Sequence, residues 1–228
     1  MGFHPDVVVF DVNETLSDMA PLADRFTEVG APSALMQTWF ASLLRDGFAL
    51  TAVGVNAGFA EVGEGVLRGL FASVDSLDRG VDAAVRHVMS GLGELALHPD
   101  VVDGLRMLAD ARMRMVTLTN GSIALANTMF VTAGVADHFE RFLSVEDAGA
   151  WKPARQAYAY AAEQCGTALE AMLLVAVHPW DIDGAKRAGM HTAWLDRRDA
   201  PYPDHFTKPD IVGRTLAEVA TAAVGSPS

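Results

Sequence analysis

Four short fragments carry the residues that could do chemistry. The first is DVNETL, Asp11 to Leu16, which follows the apolar run VVVF. The second is TNGS, Thr119 to Ser122, and the third is Trp151–Lys152–Pro153. The fourth is HPWDID, His178 to Asp183. Among the groups they offer are the carboxylates of Asp11 and Asp181, the Lys152 ammonium, the hydroxyls of Thr15 and Thr119 and the Asn120 amide. A carboxylate at the mouth of a buried strand can attack an electrophilic carbon or phosphorus and form an ester that water later cleaves. A lysine would keep such a carboxylate ionised. TNGS precedes a helical pattern beginning at Ile123, so its hydroxyls and backbone N–H groups sit where an oxyanion binds. Taken singly, each fragment is equally well read as a turn or a helix cap.

The elements around the fragments explain how they could meet. VVVF (7–10), RMVTLT (114–119), LLVAV (173–177) and HTAWL (191–195) are short apolar runs, each followed by a polar or glycine-containing turn. Such runs read as parallel strands buried on both faces. Helical patterns over 99–111, 123–134, 155–166 and 181–189 alternate with them, the last three ending at Gly134, Gly166 and Gly189. The alternation predicts an α/β fold, a doubly wound, Rossmann-like parallel-sheet core. Residues 16–94 are helical by period and show no convincing strand. A stretch that long exceeds a simple crossover and predicts a domain of its own. The expected organisation is a core of residues 1–15 and 95–228 with an inserted helical cap of 16–94. Both ends of the insert should enter beside Asp11, at the carboxyl edge of the sheet where ligands bind, and the cap would close over that edge.

In this order, and with the insert in this gap, the fragments resemble the haloacid dehalogenase superfamily. Within it they look most like the type II (S)-2-haloacid dehalogenases. FDVNETL, TNGS, WKPARQAY and PWDIDGA carry the resemblance, which spans nearly the whole chain. It implies Asp11 as nucleophile, Thr15 as its hydrogen-bonding partner, Lys152 as the basic residue and Asp181 as the acid that orients Lys152 or activates water. It implies substrate contacts from Thr119, Asn120 and Tyr158, with Trp180 as a pocket wall. Phosphatases of the superfamily place an acid two residues after the nucleophile to protonate the leaving alkoxide. Asn13 stands there and has no proton to give. Halide leaves without protonation, so Asn13 favours a dehalogenase. Those phosphatases also bind Mg²⁺ through hard oxygen ligands. Here positions 176 and 177 are Ala and Val where a further acid would be expected, so the site reads as free of metal and of cofactor.

Some positions depart from the dehalogenase pattern. Members of that branch carry an aromatic residue at position 13 and an arginine directly after the cap tryptophan; here Phe40 follows Trp39. Arg45, further along the same helical pattern, is one candidate replacement. His178, where the branch has asparagine, is the other. The expected substrate is a small 2-substituted carboxylic acid, a 2-haloacid-like anion. The alternatives are a phosphatase with an atypical acid and metal site, or a non-catalytic binding protein on the same fold.

Composition narrows the partners. A net charge of −12 and a pI near 4.9 argue against nucleic acid, which requires a basic footprint. Hydrophobic residues are 50 %, enough for a folded core with a surplus compatible with a homodimer interface. No apolar run approaches the length that spans a bilayer. The opening MGFHPD lacks the basic and apolar regions of a signal peptide, and Cys165 is a lone cysteine, so a cytoplasmic protein is expected. Glu146, Asp147, Trp151, Cys165 and the methionines read as structural, and the tail ATAAVGSPS as fraying.

Overall fold

The structure is a computed structural model and describes residues 4–225. Six parallel strands form one sheet: β1 (Val7–Phe10), β4 (Arg114–Thr119), β5 (Arg141–Ser144), β6 (Met172–Ala176), β7 (His191–Leu195) and β8 (Ile211–Gly213). Their order is β5-β4-β1-β6-β7-β8, which puts VVVF near the centre, as its uninterrupted apolar character requires. The register sets Phe10 opposite Thr117 on one side and Val175 on the other. The Asp11 N–H donates to the Val175 carbonyl at 3.1 Å, carrying the ladder one residue past the strand.

The pleat of β1 divides the core. Val7 and Val9 face a layer containing Tyr158, Ala161 and Ile182, supplied by α8 (Arg155–Cys165) and α9 (Pro179–Ala188). Val8 and Phe10 face the other layer with Leu105, Phe130 and Leu216, from α5 (Val101–Asp110), α6 (Ile123–Thr132) and α10 (Leu216–Val224). Helices therefore cover both faces of the sheet, the doubly wound arrangement.

The segment between the first turn and α5 is helical, and its apolar residues join the same cluster as the Val7–Val9 face of the sheet. It contains α1 (Leu22–Thr27), α2 (Leu35–Ala52), α3 (Phe59–Phe71) and α4 (Val81–Ser90). Phe26, Trp39, Leu43, Leu67, Phe71 and Val88 are buried inside it. Its stem is a two-residue ribbon, β2 (Ser17–Asp18) paired antiparallel with β3 (Ala96–Leu97). The His98 N–H donates to the Leu16 carbonyl at 2.9 Å, so the chain enters and leaves side by side, next to Asp11.

Trp151 ties this unit to the sheet. Its ring stacks on Phe59 at 6.2 Å and 12°, its indole N–H donates to the Ala57 carbonyl at 2.9 Å, and its backbone N–H donates to the Thr51 hydroxyl. A Cβ at Gly47 would lie 2.4 Å from the same ring. That close approach explains a glycine inside α2, where it costs about 1 kcal/mol relative to alanine. Glu146 adds a tie: its carboxylate accepts from the Phe59 N–H at 3.2 Å, and it lies in the short helix α7 (Val145–Ala148).

Several details differ from the sequence reading. β5 and β8 are short and carry an exposed residue each, so neither announces itself as a buried run. The strand expected at 173–177 starts and ends one residue earlier. The stretch expected to be strand-free holds Ser17–Asp18. The expected fraying tail is helical to Val224 because Ala220 and Ala223 pack beneath the sheet. Residues 226–228, and the first three residues of the opening segment, lie outside the described residues.

Replacing Trp151 with alanine should lower the unfolding free energy by about 3–5 kcal/mol, as removal of a buried aromatic does. Urea denaturation followed by far-UV circular dichroism measures the change.

Candidate active site

The carboxyl edge of the sheet brings three buried charges into contact. Asp11 follows β1, Asp181 lies in the first turn of α9, and Lys152 sits in the loop before α8. Lys152 is 0 % exposed; its ammonium donates to Asp11 Oδ1 at 2.9 Å and to Asp181 Oδ2 at 2.6 Å. The Thr15 hydroxyl donates to Asp11 Oδ2 at 2.5 Å and accepts from the Val177 N–H at 3.1 Å. The same hydroxyl thus orients the carboxylate and anchors the turn to the end of β6.

One ammonium serves two carboxylates, and the two respond differently. Burial pushes the Asp11 carboxyl up, but Lys152, the His178 imidazole and the Thr15 hydroxyl outweigh it, and its pKa lies below the usual value. Burial also pushes Asp181 up, and there Lys152 does not fully compensate because Asp11 opposes it, so its pKa is raised. Burial pushes the Lys152 pKa down; the two carboxylates outweigh it and hold its pKa above the ordinary value. Burial and the Asp181 charge hold the Tyr158 phenol well above its ordinary pKa, so it remains a donor. Two carboxylates pushed apart in this way are suited to two roles, an anion and a proton acceptor.

The turn after Asp11 is fixed through its backbone. A carbonyl only accepts, so each donor is determined. His178 Nε2 donates to the Asn13 carbonyl at 3.2 Å, and His98 Nε2 to that of Glu14 at 3.1 Å. Arg197 donates to that of Thr15 at 3.1 and 2.9 Å. Glu14 has φ +60°, a left-handed conformation that costs energy in a non-glycine residue, and these bonds maintain it. Arg197 is itself held by Asp100 at 2.8 Å. Arg197, His98 and Glu14 were not singled out from sequence. The usable signal was the charged run Asp196–Arg197–Arg198 at the carboxyl end of HTAWL.

The remaining expected site residues divide into those that reach the pocket and those that do not. Phe40, His178 and Trp180 form an aromatic cluster: His178 stacks on Trp180 at 4.9 Å and 17°, Phe40 approaches His178 at 6.3 Å, and His178 lines the larger cavity beside the site. His178 Nε2 lies 3.6 Å from Asp11 Oδ2. Asn13 and Thr119 line a small cavity beside Phe59, and the Thr119 hydroxyl accepts from the Gly121 N–H. A Cβ at Gly121 would meet the Asn13 amide at 3.0 Å, so a larger residue there would push that amide aside.

Three residues expected to contact substrate point elsewhere. The Asn120 amide bonds the Lys152 backbone in both directions, at 3.0 and 3.3 Å, and so positions Lys152. The Tyr158 hydroxyl, fully buried, donates to Asp181 Oδ1 at 2.6 Å. The Arg45 side chain is 69 % exposed and bonds Asp46, because it lies on the outer face of α2. The missing arginine is therefore not replaced from that position.

The oxygen ligands a Mg²⁺ ion would need are not free. Asp11 engages Lys152 and Thr15, the Asn13 carbonyl accepts from His178, and position 177 is valine. Among the described residues no group of three or more His, Cys, Asp or Glu could hold a metal ion. The residues do not fit that metal. No helix among them is long and apolar enough to cross a membrane.

Residues 5–189 match the family of haloacid dehalogenase-like hydrolases. The chain belongs to this family. Haloacid dehalogenase-like relatives align along nearly its whole length: an (S)-2-haloacid dehalogenase of Pseudomonas putida is 26 % identical over 96 % of both chains. Haloacetate dehalogenase H-2 of Moraxella sp. (strain B) is 34 % identical over half of each. The structure of L-2-haloacid dehalogenase from Xanthobacter autotrophicus has the same fold, with a TM-score of 0.84 at 23 % identity over 95 % of this chain and 97 % of that one. The family membership and the dehalogenase likeness expected from the four fragments are thus borne out.

Replacing Lys152 with methionine should cost about 3–5 kcal/mol of stability, since it strands buried carboxylates. Without the cation, burial raises both carboxyl pKa values. A raised carboxyl pKa gives stability below the ordinary value that is lost as pH rises. The deficit should therefore be larger at about pH 7 than at about pH 5 in urea unfolding.

Proposed function

We propose that the protein hydrolyses 2-haloacids by nucleophilic displacement, with Asp11 as the attacking group. Asp11 attacks C2, the C–halide bond breaks, and the halide departs on the side away from Asp11, toward the helical insert. An ester joins Asp11 to C2. Water then attacks the Asp11 carbonyl carbon, giving up a proton to Asp181; the bond from that carbon to the ester oxygen breaks, and the oxygen leaves with C2 and takes up the proton as the product hydroxyl. A 2-hydroxy acid, a halide ion and a proton result, and the aspartate is restored.

The roles follow the electrostatics. Asp11, held anionic by Lys152 and oriented by Thr15, is the nucleophile. Asp181, whose proton affinity is raised, is the better base for water. Tyr158 and Asn120 act through Asp181 and Lys152 as positioning residues. The substrate carboxylate is received by the backbone N–H groups opening α6, where Ser122 supplies no side-chain cap. The helical insert serves as the cap.

The observation that carries this reading is the pairing of an ionised, Lys152-bound Asp11 with Asn13 two residues on. The nucleophile is present and the leaving group's proton donor is not. That combination suits halide, which needs no proton, and handicaps an alkoxide.

Asp11→Asn should abolish halide release from 2-chloro- and 2-bromopropanoate while leaving the circular dichroism spectrum unchanged. EDTA should not alter the wild-type rate. In a single turnover in ¹⁸O-water, label should enter Asp11 before product. Direct labelling of the product, or activity restored only by Mg²⁺ with phosphate esters, would overturn the proposal.

A further inference from the structure

A cavity of about 470 Å³ lies on the far side of His178 from Asp11. Its mouth is formed by exposed residues, Ala20, Gln37, Ala200 and Pro201. Its depth is lined by Met19, Met36, Val177 and Trp194, and it ends at His178. The other cavity at the site, beside Asn13, Thr119 and Phe59, is about 30 Å³, room for one or two water-sized groups. The nucleophile itself is only 3 % exposed. What separates it from the larger cavity is the His178 ring, whose Nε2 is 3.6 Å from Asp11 Oδ2, with Phe40 alongside.

Most polar groups on the cavity wall have partners within the protein. Arg197 binds the Thr15 carbonyl and Asp100, Arg198 binds Glu14, and His98 binds the Glu14 carbonyl. Asp18 accepts from the Ala20 N–H, Asp196 from the Ala200 N–H, and the Trp194 indole donates to the Val177 carbonyl. Glu14, Asp18 and Asp196 stand on the same wall and offset the charge of Arg197 and Arg198, so the wall offers a second anion no net attraction. A hydrocarbon would break none of these bonds and would cover Met19, Met36 and Trp194.

We infer that this cavity is the subsite for an apolar chain at C2, so that the preferred substrates are 2-haloalkanoic acids with several carbons beyond C2. The inference rests on the 2-haloacid reading above. With C2 at Asp11 and the carboxylate at α6, one substituent of C2 passes the edge of His178 and Phe40 into the cavity. His178 is then a specificity-determining residue as well as a support for the turn. Each methylene buried contributes up to about fourfold in kcat/KM until the cavity is filled.

The test is halide release from 2-bromopropanoate, 2-bromobutanoate, 2-bromohexanoate and 2-bromooctanoate. The wild type should show kcat/KM rising along the series. Ala20→Trp and Ala200→Trp, at exposed positions on the mouth, should reduce 2-bromooctanoate turnover at least about tenfold and leave 2-bromopropanoate within about twofold. Thermal melts check that both variants fold. A flat or falling series, or an equal loss for short and long acids in both folded variants, overturns the subsite. If no acid in the series releases bromide, the 2-haloacid reading fails by itself. Calorimetric titration with octanoate and acetate then decides the subsite. Tighter octanoate binding that Ala20→Trp removes supports it, and equal binding of the two acids overturns it.

Discussion

A single buried ammonium, that of Lys152, holds the site together. Taking an ammonium and two carboxylates out of water costs several kcal/mol per ion, and only close, well-aligned partners offset it. The fold supplies them from three distant points in the chain: the end of β1, the loop before α8 and the first turn of α9. β1 and β6 are adjacent in the sheet, so Asp11 and α9 emerge side by side. The asparagine amide that grips the Lys152 backbone fixes the third point. If one of these contacts fails, a charge is left buried without compensation. The ionic cluster therefore favours one arrangement of the carboxyl edge, whatever its net contribution to stability.

That cluster also limits the chemistry. Its ammonium is shared between two carboxylates, and the insert brings Phe40, an uncharged ring, against His178. In the proposed reaction, attraction of the substrate would come from backbone donors at α6 and from contact with apolar surface. This is a different balance from a pocket that pairs each negative charge with an arginine. It makes affinity depend more on the size of the substrate and less on its charge, consistent with an acidic protein whose overall field repels small anions.

Much of this was legible in the sequence because the determinants are local. VVVF followed by an acid specifies a buried strand with a carboxylate at its end, and three more apolar runs locate the neighbours. Asp11, Thr15, Lys152 and Asp181 meet as their fragments suggested. What the sequence hid was direction. Asn120 and Tyr158 have side chains fit for substrate, yet tertiary packing turns both toward other site residues. Arg45 is an instructive case, because helical geometry alone disfavours it. Five residues after buried Phe40, it stands about 140° around the helix, off the face that Phe40, Leu43 and Gly47 bury. Arg197 was hidden for the opposite reason: it acts on a backbone carbonyl, a partner with no side-chain signature.

The turn from Asn13 to Thr15 shows how these levels combine. Its three consecutive carbonyls are bound by His178, His98 and Arg197, which come from the end of β6, the stem of the insert and the loop after β7. A nucleophile needs a fixed direction of attack, and a flexible turn would lose it. For Asp11 as the proposed nucleophile, pinning the backbone from three sides would give that direction without using its carboxylate, which is held by Thr15 and Lys152. The same three residues form part of the wall of the cavity beyond His178. A chain seated in that cavity would press on the groups that orient the nucleophile. Substrate length and alignment of Asp11 would then be coupled through the same few hydrogen bonds, so a longer acid gains in orientation as well as in binding.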